Sequence, residues 1–418
     1  MPAALKAVAA LVALAVVFVV AAIVGGGSGG GGPASSAPAP LSGGSHTPAG
    51  AQAGTPAELG YPAFATDNTT RVGGPDPISN AAGVALATYP SVEASQRPAA
   101  VTLVDAADWQ TAIAASVLMA APLGPPSGVP AGAVKGAPTG APLLISAAGG
   151  VPKPTSEALG ALDPRGNGMT GGAQVFAMGR AAVPGGLRTR RIAAADPAAG
   201  AAAIAALRDR LFGSPPKHLL IASSEEPGFA MPAAAWAARS GDPILFSNRD
   251  RLPPATAAVL RRRPGTPVFV LGPSSAISAS VVRQIAAIDP RVRRVAGADP
   301  VSSAIALARY AGGGFGWNVN DPGHGFVVAR SDSPLDAAAA APLSASGSWG
   351  PLLLTDSAAT LPAALRGYLL DVKPGYTTDP TRAFYNHVWV IGNEEAIDLR
   401  QQAEIDALAG LVKIGRAP

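Results

Sequence analysis

The chain of 418 residues contains no cysteine, and both aromatic and charged residues are scarce. Without cysteine it has no disulfide bonds and no lipid attached through a cysteine thioether. Aromatic residues make up 5% of the chain and do not alternate with basic runs, which argues against nucleic-acid binding. The four histidines are not spaced as zinc ligands. A calcium loop would need more carboxylates than one polar cluster provides, which consists of Asn318, Asn320, Asp321 and His324. We therefore predict no metal, no cofactor and no catalytic residues.

Hydrophobic residues are abundant, at 48% of the chain, while charged residues account for only 14%. This composition is typical of a globular protein with large buried cores and a thinly charged surface. The formal net charge is +4. A modest positive excess favours an anionic partner without identifying it.

An apolar run of eighteen residues, 7–24, follows a single charge at Lys6. Its length suffices for a helix that crosses the hydrocarbon core of a membrane. The lysine on its amino-terminal side places the amino terminus in the cytoplasm and the rest of the chain outside. We therefore predict a single-pass membrane anchor at residues 1–24. A cleaved signal peptide is the alternative, although glycines rather than an Ala-x-Ala motif follow the run.

Residues 25–69 are rich in Gly, Ser, Pro, Ala and Thr. Such a segment buries too little apolar surface to fold alone, so it is predicted to be a flexible linker. A chain of this length and composition has an r.m.s. reach of roughly 35–40 Å. That reach would lift a domain off the membrane surface.

A seven-residue pattern occurs three times, at residues 71–77, 191–197 and 294–300. It consists of Arg, a β-branched residue, two small residues, any residue, Asp and Pro. The starts are 120 and 103 residues apart, and each interval has the length of a small domain. We therefore predict three copies of one structural module.

Three apolar runs follow each copy of the pattern, in the same order. Because these runs alternate with helical stretches of about ten to fifteen residues, we expect βαβ units with parallel sheets. The runs are continuously apolar, as in strands that helices cover on both faces. They are residues 100–104, 142–146 and 175–179; 219–222, 243–247 and 268–272; and 326–329, 351–355 and 388–392.

With these motifs in this order, the chain resembles the cell wall-binding repeat 2 family, whose modules usually occur in threes on bacterial surface proteins. The resemblance covers roughly residues 70–415 and is strongest at 294–299, 331–341, 351–355 and 388–392. It implies an α/β fold of three small three-layer modules around a pseudo-threefold axis. We place the modules at residues 70–187, 188–292 and 293–418. Family members usually have Arg after the Asp of the pattern, where this chain has Pro77, Pro197 and Pro300.

The Asp-Pro pair of each pattern predicts the start of a helix at Asp76, Asp196 and Asp299. Asp is a favoured N-cap, and Pro is favoured at the first helical position. The matching positions of Arg71, Arg191 and Arg294 in the three patterns allow two interpretations. These arginines either bridge to the neighbouring module or bind an anionic ligand.

Polar side chains gather where the first strand of each module ends, the edge at which open α/β sheets bind ligands. In the third module these are Arg330, Ser331, Asp332 and, on the next helix, Asp336. Helix capping is one explanation and ligand contact is the other. The predicted ligand-binding residues are Arg71, Arg191, Arg294, Arg330, Asp332 and Asp336.

The resulting functional prediction is a non-enzymatic cell-surface protein that binds an anionic cell-wall polymer and tethers the membrane to the wall. Three weak sites on one chain would together bind a repetitive polymer, because binding at one site raises the effective concentration of polymer at the other two. A scaffold for another exported protein is the first alternative. An enzyme that acts on wall glycans is the second.

Overall fold

The computed structural model describes residues 64–129, 139–346 and 348–415. The predicted membrane anchor lies outside these residues, as does the predicted linker up to residue 63. Within the described part, no helix is long and apolar enough to cross a membrane. Residues 64–69, assigned to the linker by composition, contain a short strand and the start of another.

The described segments form strands and α-helices that alternate over most of the chain. The strands are β1 (Phe64–Ala65), β2 (Thr69–Val72), β3 (Val101–Asp105), β4 (Leu143–Ser146), β5 (Val175–Met178), β6 (Thr189–Ile192), β7 (Leu219–Ser223), β8 (Ile244–Ser247), β9 (Val268–Leu271), β10 (Val292–Val295), β11 (Gly325–Arg330), β12 (Leu352–Thr355), β13 (Gly375–Tyr376), β14 (His387–Ile391) and β15 (Val412–Lys413). The helices are α1 (Pro77–Thr88), α2 (Trp109–Ala115), α3 (Lys153–Leu162), α4 (Pro197–Phe212), α5 (Pro227–Ser240), α6 (Pro254–Arg261), α7 (Ala279–Ile288), α8 (Pro300–Arg309), α9 (Pro334–Ser346), α10 (Ala363–Asp371) and α11 (Leu399–Ala409).

Three sheets share one parallel four-strand order. Sheet 1 is β4-β3-β5-β6, sheet 2 is β8-β7-β9-β10, and sheet 3 is β12-β11-β14-β2, with β1 added antiparallel to β2. The apolar strands are buried along their whole length, because helices cover both faces. The prediction of mixed α/β structure with several parallel-sheet modules is confirmed.

The outer strand of each sheet comes from the segment that begins the next repeat. Strands β6 and β10, which carry the second and third patterns, complete sheets 1 and 2. Strand β2, which carries the first pattern, pairs with β14 near the other end of the folded chain, with Thr69 opposite Val388 and Val72 opposite Ile391. The first pattern therefore closes the three modules into a ring.

One helix from each module packs at the centre of this ring. Helices α2, α5 and α9 each contact both of the others. They are rich in alanine, and residues 337–341 of α9 are all buried alanines. Small side chains let the helix axes approach closely, so the shared core extends across all three modules.

The Asp-Pro pairs begin helices, as predicted. The Oδ1 atoms of Asp76, Asp196 and Asp299 each accept a hydrogen bond of 2.8 Å from a backbone amide three residues later. A proline occupies the first turn of each helix. These bonds satisfy amides that have no partner inside the helix.

The arginine of each pattern binds backbone carbonyls in the loop after the neighbouring strand. The Nη1 atoms of Arg71, Arg191 and Arg294 donate to Gly392 O at 2.7 Å, Gly179 O at 2.8 Å and Gly272 O at 2.5 Å, respectively. Their Nη2 atoms donate to a second carbonyl of the same loop. Each of these glycines has a positive φ, which favours glycine at the turn. The arginines thus join the modules.

Arg71 differs from the other two in its burial. It is 1% exposed and also donates to Gln402 Oε1 at 2.8 Å and to Asn393 O at 2.9 Å, whereas Arg191 is exposed. All its partners lie in or after β14. Arg71 therefore fixes the strand pairing that closes the ring.

His218 makes a second contact between modules. Its Nδ1 lies 2.9 Å from Asp242 Oδ2 and its Nε2 lies 3.0 Å from Gly313 O, in the loop before β11. Phe315 of that loop stacks on Phe269 with a centroid distance of 3.8 Å. Both ring nitrogens face acceptors, an arrangement that suits the protonated imidazole.

We predict that Arg71→Gln lowers the free energy of unfolding by about 3 kcal/mol, because several buried carbonyls lose their charged donor. Arg191→Gln should lower it by less than about 1 kcal/mol, because solvent replaces the lost donor. Urea unfolding of both variants and the wild type measures the difference. Equal losses in the two variants would contradict the role assigned to Arg71.

The second prediction concerns pH. Burial alone would lower the pKa of His218, but Asp242 and the carbonyl of Gly313 outweigh burial and the charge of Lys217, and they raise it. The stabilisation is therefore complete below about pH 6.5, the pKa in the unfolded chain, and is lost as pH rises through the higher native pKa. The gap in unfolding free energy between wild type and His218→Gln should shrink from pH 6 to pH 9. A gap that is constant over this range would refute the argument.

Candidate functional site

A polar cleft of about 250 Å³ lies at the carboxyl edge of sheet 3. One wall is formed by the end of β11 and the start of α9, and another by the loop after β14. The first turn of α1, from the first module, completes it. The charged and amide side chains that line it are Asp76, Asn80, Arg330, Asp332, Asp336, Asn393 and Glu395. The cleft therefore exists only because β2 and α1 pack against the third module.

Asp336 lies at the base of the cleft and is 4% exposed. Its Oδ1 accepts a hydrogen bond from Asn80 Nδ2 at 2.9 Å, and its Oδ2 accepts one from Ser333 Oγ at 2.6 Å. Burial raises the pKa of Asp336, and the charges of Asp76 and Asp332 add to this effect. The two hydrogen bonds oppose the increase without cancelling it.

Arg330 is the cation of the cleft, and Asp332 already neutralises it. Arg330 Nη2 lies 2.6 Å from Asp332 Oδ2, and its Nε lies 3.2 Å from Asp332 Oδ1. This two-point pairing holds the guanidinium in a fixed orientation. The remaining carboxylates, Asp76, Asp336 and Glu395, make the cleft acidic.

Asn80 leaves an acceptor unused in the wall of the cleft. Its side chain is 1% exposed, and its Oδ1 has no hydrogen-bond partner among the described residues. A buried amide oxygen without a donor is uncommon in folded proteins and calls for an explanation.

The equivalent edges of the other two modules are closed. In the second module, Phe229 takes the place of Asp336 and lies with Ser303 around a gap too small for a water molecule. In the first module, Thr111 takes that place, and a Cβ added to Gly200 would lie 3.2 Å from Thr111 Oγ1. The same backbone therefore gives an open polar cleft at one edge and packed surfaces at the other two.

The structure brings together three of the predicted site residues, Arg330, Asp332 and Asp336. Arg71 lies behind the cleft, where it binds the carbonyls of Gly392 and Asn393. Arg191 and Arg294 lie in sheets 1 and 2, away from it.

Three residues of the cleft were missed by the sequence analysis, and a fourth was named only as a helix cap. The three are Asn80, Asn393 and Glu395, and the fourth is Asp76. A comparison of the three patterns offers a signal for Asn80, because the equivalent helix positions hold Gly200 and Ser303. No comparable signal marks Glu395, which reaches the cleft through the loop after β14.

A third prediction follows from the buried carboxyl. Because the native pKa of Asp336 is raised, the folded state favours the protonated form of Asp336 more than the unfolded chain does. Stability should therefore fall as pH rises from about 4, the pKa in the unfolded chain, to the native pKa, by about 1.4 kcal/mol for every pH unit that separates these two values. Asp336→Asn carries no charge at any pH. The stability of the wild type relative to this variant should decrease between pH 4 and pH 7 in urea titrations, and an unchanged difference would disprove it.

Comparison with known proteins identifies the module. Residues 191–282 and 294–400 match the family described as Cell wall binding domain 2 (CWB2), and the two segments begin at Arg191 and Arg294. No curated protein sequence matches the chain.

Two solved structures, Cwp6 and Cwp8 from Clostridium difficile, share the fold. Cwp6 is 18% identical with a TM-score of 0.62, and the match covers 82% of this chain and 47% of Cwp6. Cwp8 is 18% identical with a TM-score of 0.57, and the match covers 82% of this chain and 52% of Cwp8. This chain thus spans about half the length of each. The second and third repeats are therefore similar to the Cell wall binding domain 2 family, and the fold is that of Cwp6 and Cwp8.

Proposed function

We propose that this protein is a non-enzymatic binder of an anionic cell-wall polymer, with its three modules related by an approximate threefold axis. The observation that carries the proposal is the open polar cleft of the third module, in a fold whose second and third repeats match the Cell wall binding domain 2 family. Arg330, Asp332 and Asp336 would contact one unit of the polymer. We assign Arg71, Arg191 and Arg294 to the joints between modules.

Charge is distributed unevenly among the modules, and this supports an anionic polymer. Residues 188–292 contain 14 Lys and Arg against 7 Asp and Glu, a formal net charge of +7. Residues 293–418 contain 10 against 12, a net charge of −2. The exposed arginines of the second module include Arg251, Arg261, Arg262 and Arg283. An anionic chain would therefore be attracted to the second module while a single unit occupies the cleft of the third.

The proposal includes a tether between membrane and wall. The apolar run at residues 7–24 would anchor the chain, and the segment up to residue 63 would act as the spacer. A reach of roughly 35–40 Å places the modules beyond the lipid headgroups. The modules would then lie outside the cytoplasm.

A scaffold for another exported protein remains the second candidate, because the third module exposes large apolar side chains. Phe384 is 58% exposed, Tyr385 is 56% exposed and Ile414 is 52% exposed. Exposed apolar surface marks protein contact sites in many proteins. Recovery of the protein from wall-free membranes in a stable complex would favour this function.

The main test is retention of the full chain, solubilised in mild detergent, on purified wall sacculi. We expect binding to untreated sacculi and a large loss after chemical removal of the anionic polymers. Arg261→Gln/Arg262→Gln should weaken retention by at least about five-fold, because two exposed cations face the polymer.

The matched control is Lys153→Gln/Arg180→Gln, which removes two exposed charges from the first module. Its retention should match that of the wild type. Equal retention of the wild type on stripped and untreated sacculi would rule out an anionic ligand.

A further inference from the structure

We propose that the cleft of the third module binds a protonated amine carried by the wall polymer, such as that of an amino sugar without an acetyl group. This inference rests on the proposed function and names the chemistry of its site. In this inference, the anionic groups of the polymer contact the basic surface of the second module, and its amine enters the acidic cleft of the third.

The charge balance of the cleft is the first argument. Four carboxylates line it, those of Asp76, Asp332, Asp336 and Glu395, against the single guanidinium of Arg330. Asp332 already pairs with that guanidinium through two hydrogen bonds. An anionic group in the cleft would meet the carboxylates of Asp76 and Glu395, for which the described residues supply no ion-pair partner, whereas a cation would be attracted to them.

The unused hydrogen-bond capacity is the second and independent argument. In the part of the chain that the structure describes, no donor reaches the buried Oδ1 of Asn80, and the amide that carries it is fixed by the bond from Nδ2 to Asp336 Oδ1. A carboxylate in its ionised form only accepts hydrogen bonds. An ammonium group, which has three donors and no acceptor, would supply the donor that this buried oxygen lacks.

The size of the cleft limits what enters. Its volume of about 250 Å³ lies below the range of roughly 300–1,000 Å³ typical of sites for larger ligands. One substituted sugar ring or a single amine-bearing side group suits this space better than several consecutive sugars.

The two closed edges show which residues create the specificity. The third edge has the pair Asp336 and Asn80. The same two positions of the fold hold Phe229 and Ser303 at the second edge, and Thr111 and Gly200 at the first. Neither pair contains a carboxylate. Among the described residues, one sheet edge rather than three therefore offers an amine site, and the other two modules provide the fold and the basic surface.

The test compares three sugars by calorimetric titration into the full chain in mild detergent at low salt. The probes are glucosamine, N-acetylglucosamine and glucose. Glucosamine should bind at least about ten-fold more tightly than either neutral sugar, because only glucosamine carries the cation. Equal affinities, or no binding of glucosamine, would overturn the inference.

Two exposed cleft variants test the location without disturbing the core. Glu395→Gln and Asp332→Asn should each weaken glucosamine binding at least about five-fold. Asp250→Asn, which removes an exposed carboxylate from the second module, should leave it unchanged. Asn80→Ser should also weaken binding, with thermal melting as the check of its fold. Variants that bind like the wild type would place the amine elsewhere and refute the assignment.

Sacculus retention separates the inference from the proposed function. Full retention on untreated sacculi, together with no preference for glucosamine, would refute the amine site and leave wall binding standing. Failure of the wild type to bind any sacculi would refute wall binding, while the sugar titrations would still decide the amine site.

Discussion

The pairing of β2 with β14 is the constraint on which the rest of the structure depends. It brings the first repeat back to the third and positions α1 beside the start of α9. The buried guanidinium of Arg71 holds this joint through carbonyls that would otherwise lack donors. Without the joint, the third sheet would lose its outer strand and the cleft would lose Asp76 and Asn80. The third sheet and the cleft therefore both depend on one contact between the two ends of the folded chain.

The three modules share one backbone fold, but only the third has an open polar cleft among the described residues. The three sheets have the same strand order, and the three arginines bind equivalent carbonyls. At the edge of each sheet, however, two positions decide whether a cleft forms. A buried carboxylate facing an amide keeps the third edge open and polar, whereas a phenylalanine fills the second. Filling an edge with an apolar side chain adds packing energy and removes a place for ligand.

Net charge is a poor guide to the chemistry of an individual site. The chain carries a formal charge of +4, yet its open cleft is acidic. The positive charge belongs mainly to the second module, at a different part of the fold. At physiological ionic strength the Debye length is about 8 Å, so separate surfaces of one protein act on a ligand almost independently. A polymer with both anionic and amine groups would use both surfaces.

The sequence alone determined the repeated unit. The spacing of the Arg-to-Asp-Pro pattern and the order of the apolar runs predicted parallel α/β modules, because continuous apolar strands require helices on both faces. The N-caps at Asp76, Asp196 and Asp299 were equally local, since a cap depends on residues within one turn. The sequence also placed three polar residues near one strand end, because they follow the apolar run of β11 within a few positions. They are Arg330, Asp332 and Asp336.

Only the tertiary structure decided what those residues meet. It placed Asn80 against Asp336 and turned Glu395 toward the same cleft, although these residues are far apart along the chain. It also paired each outer strand with the preceding module, which assigned the arginines to the joints. A sequence pattern records local spacing and burial, while partners distant in the chain are selected by packing and by the need of every buried polar group for a partner.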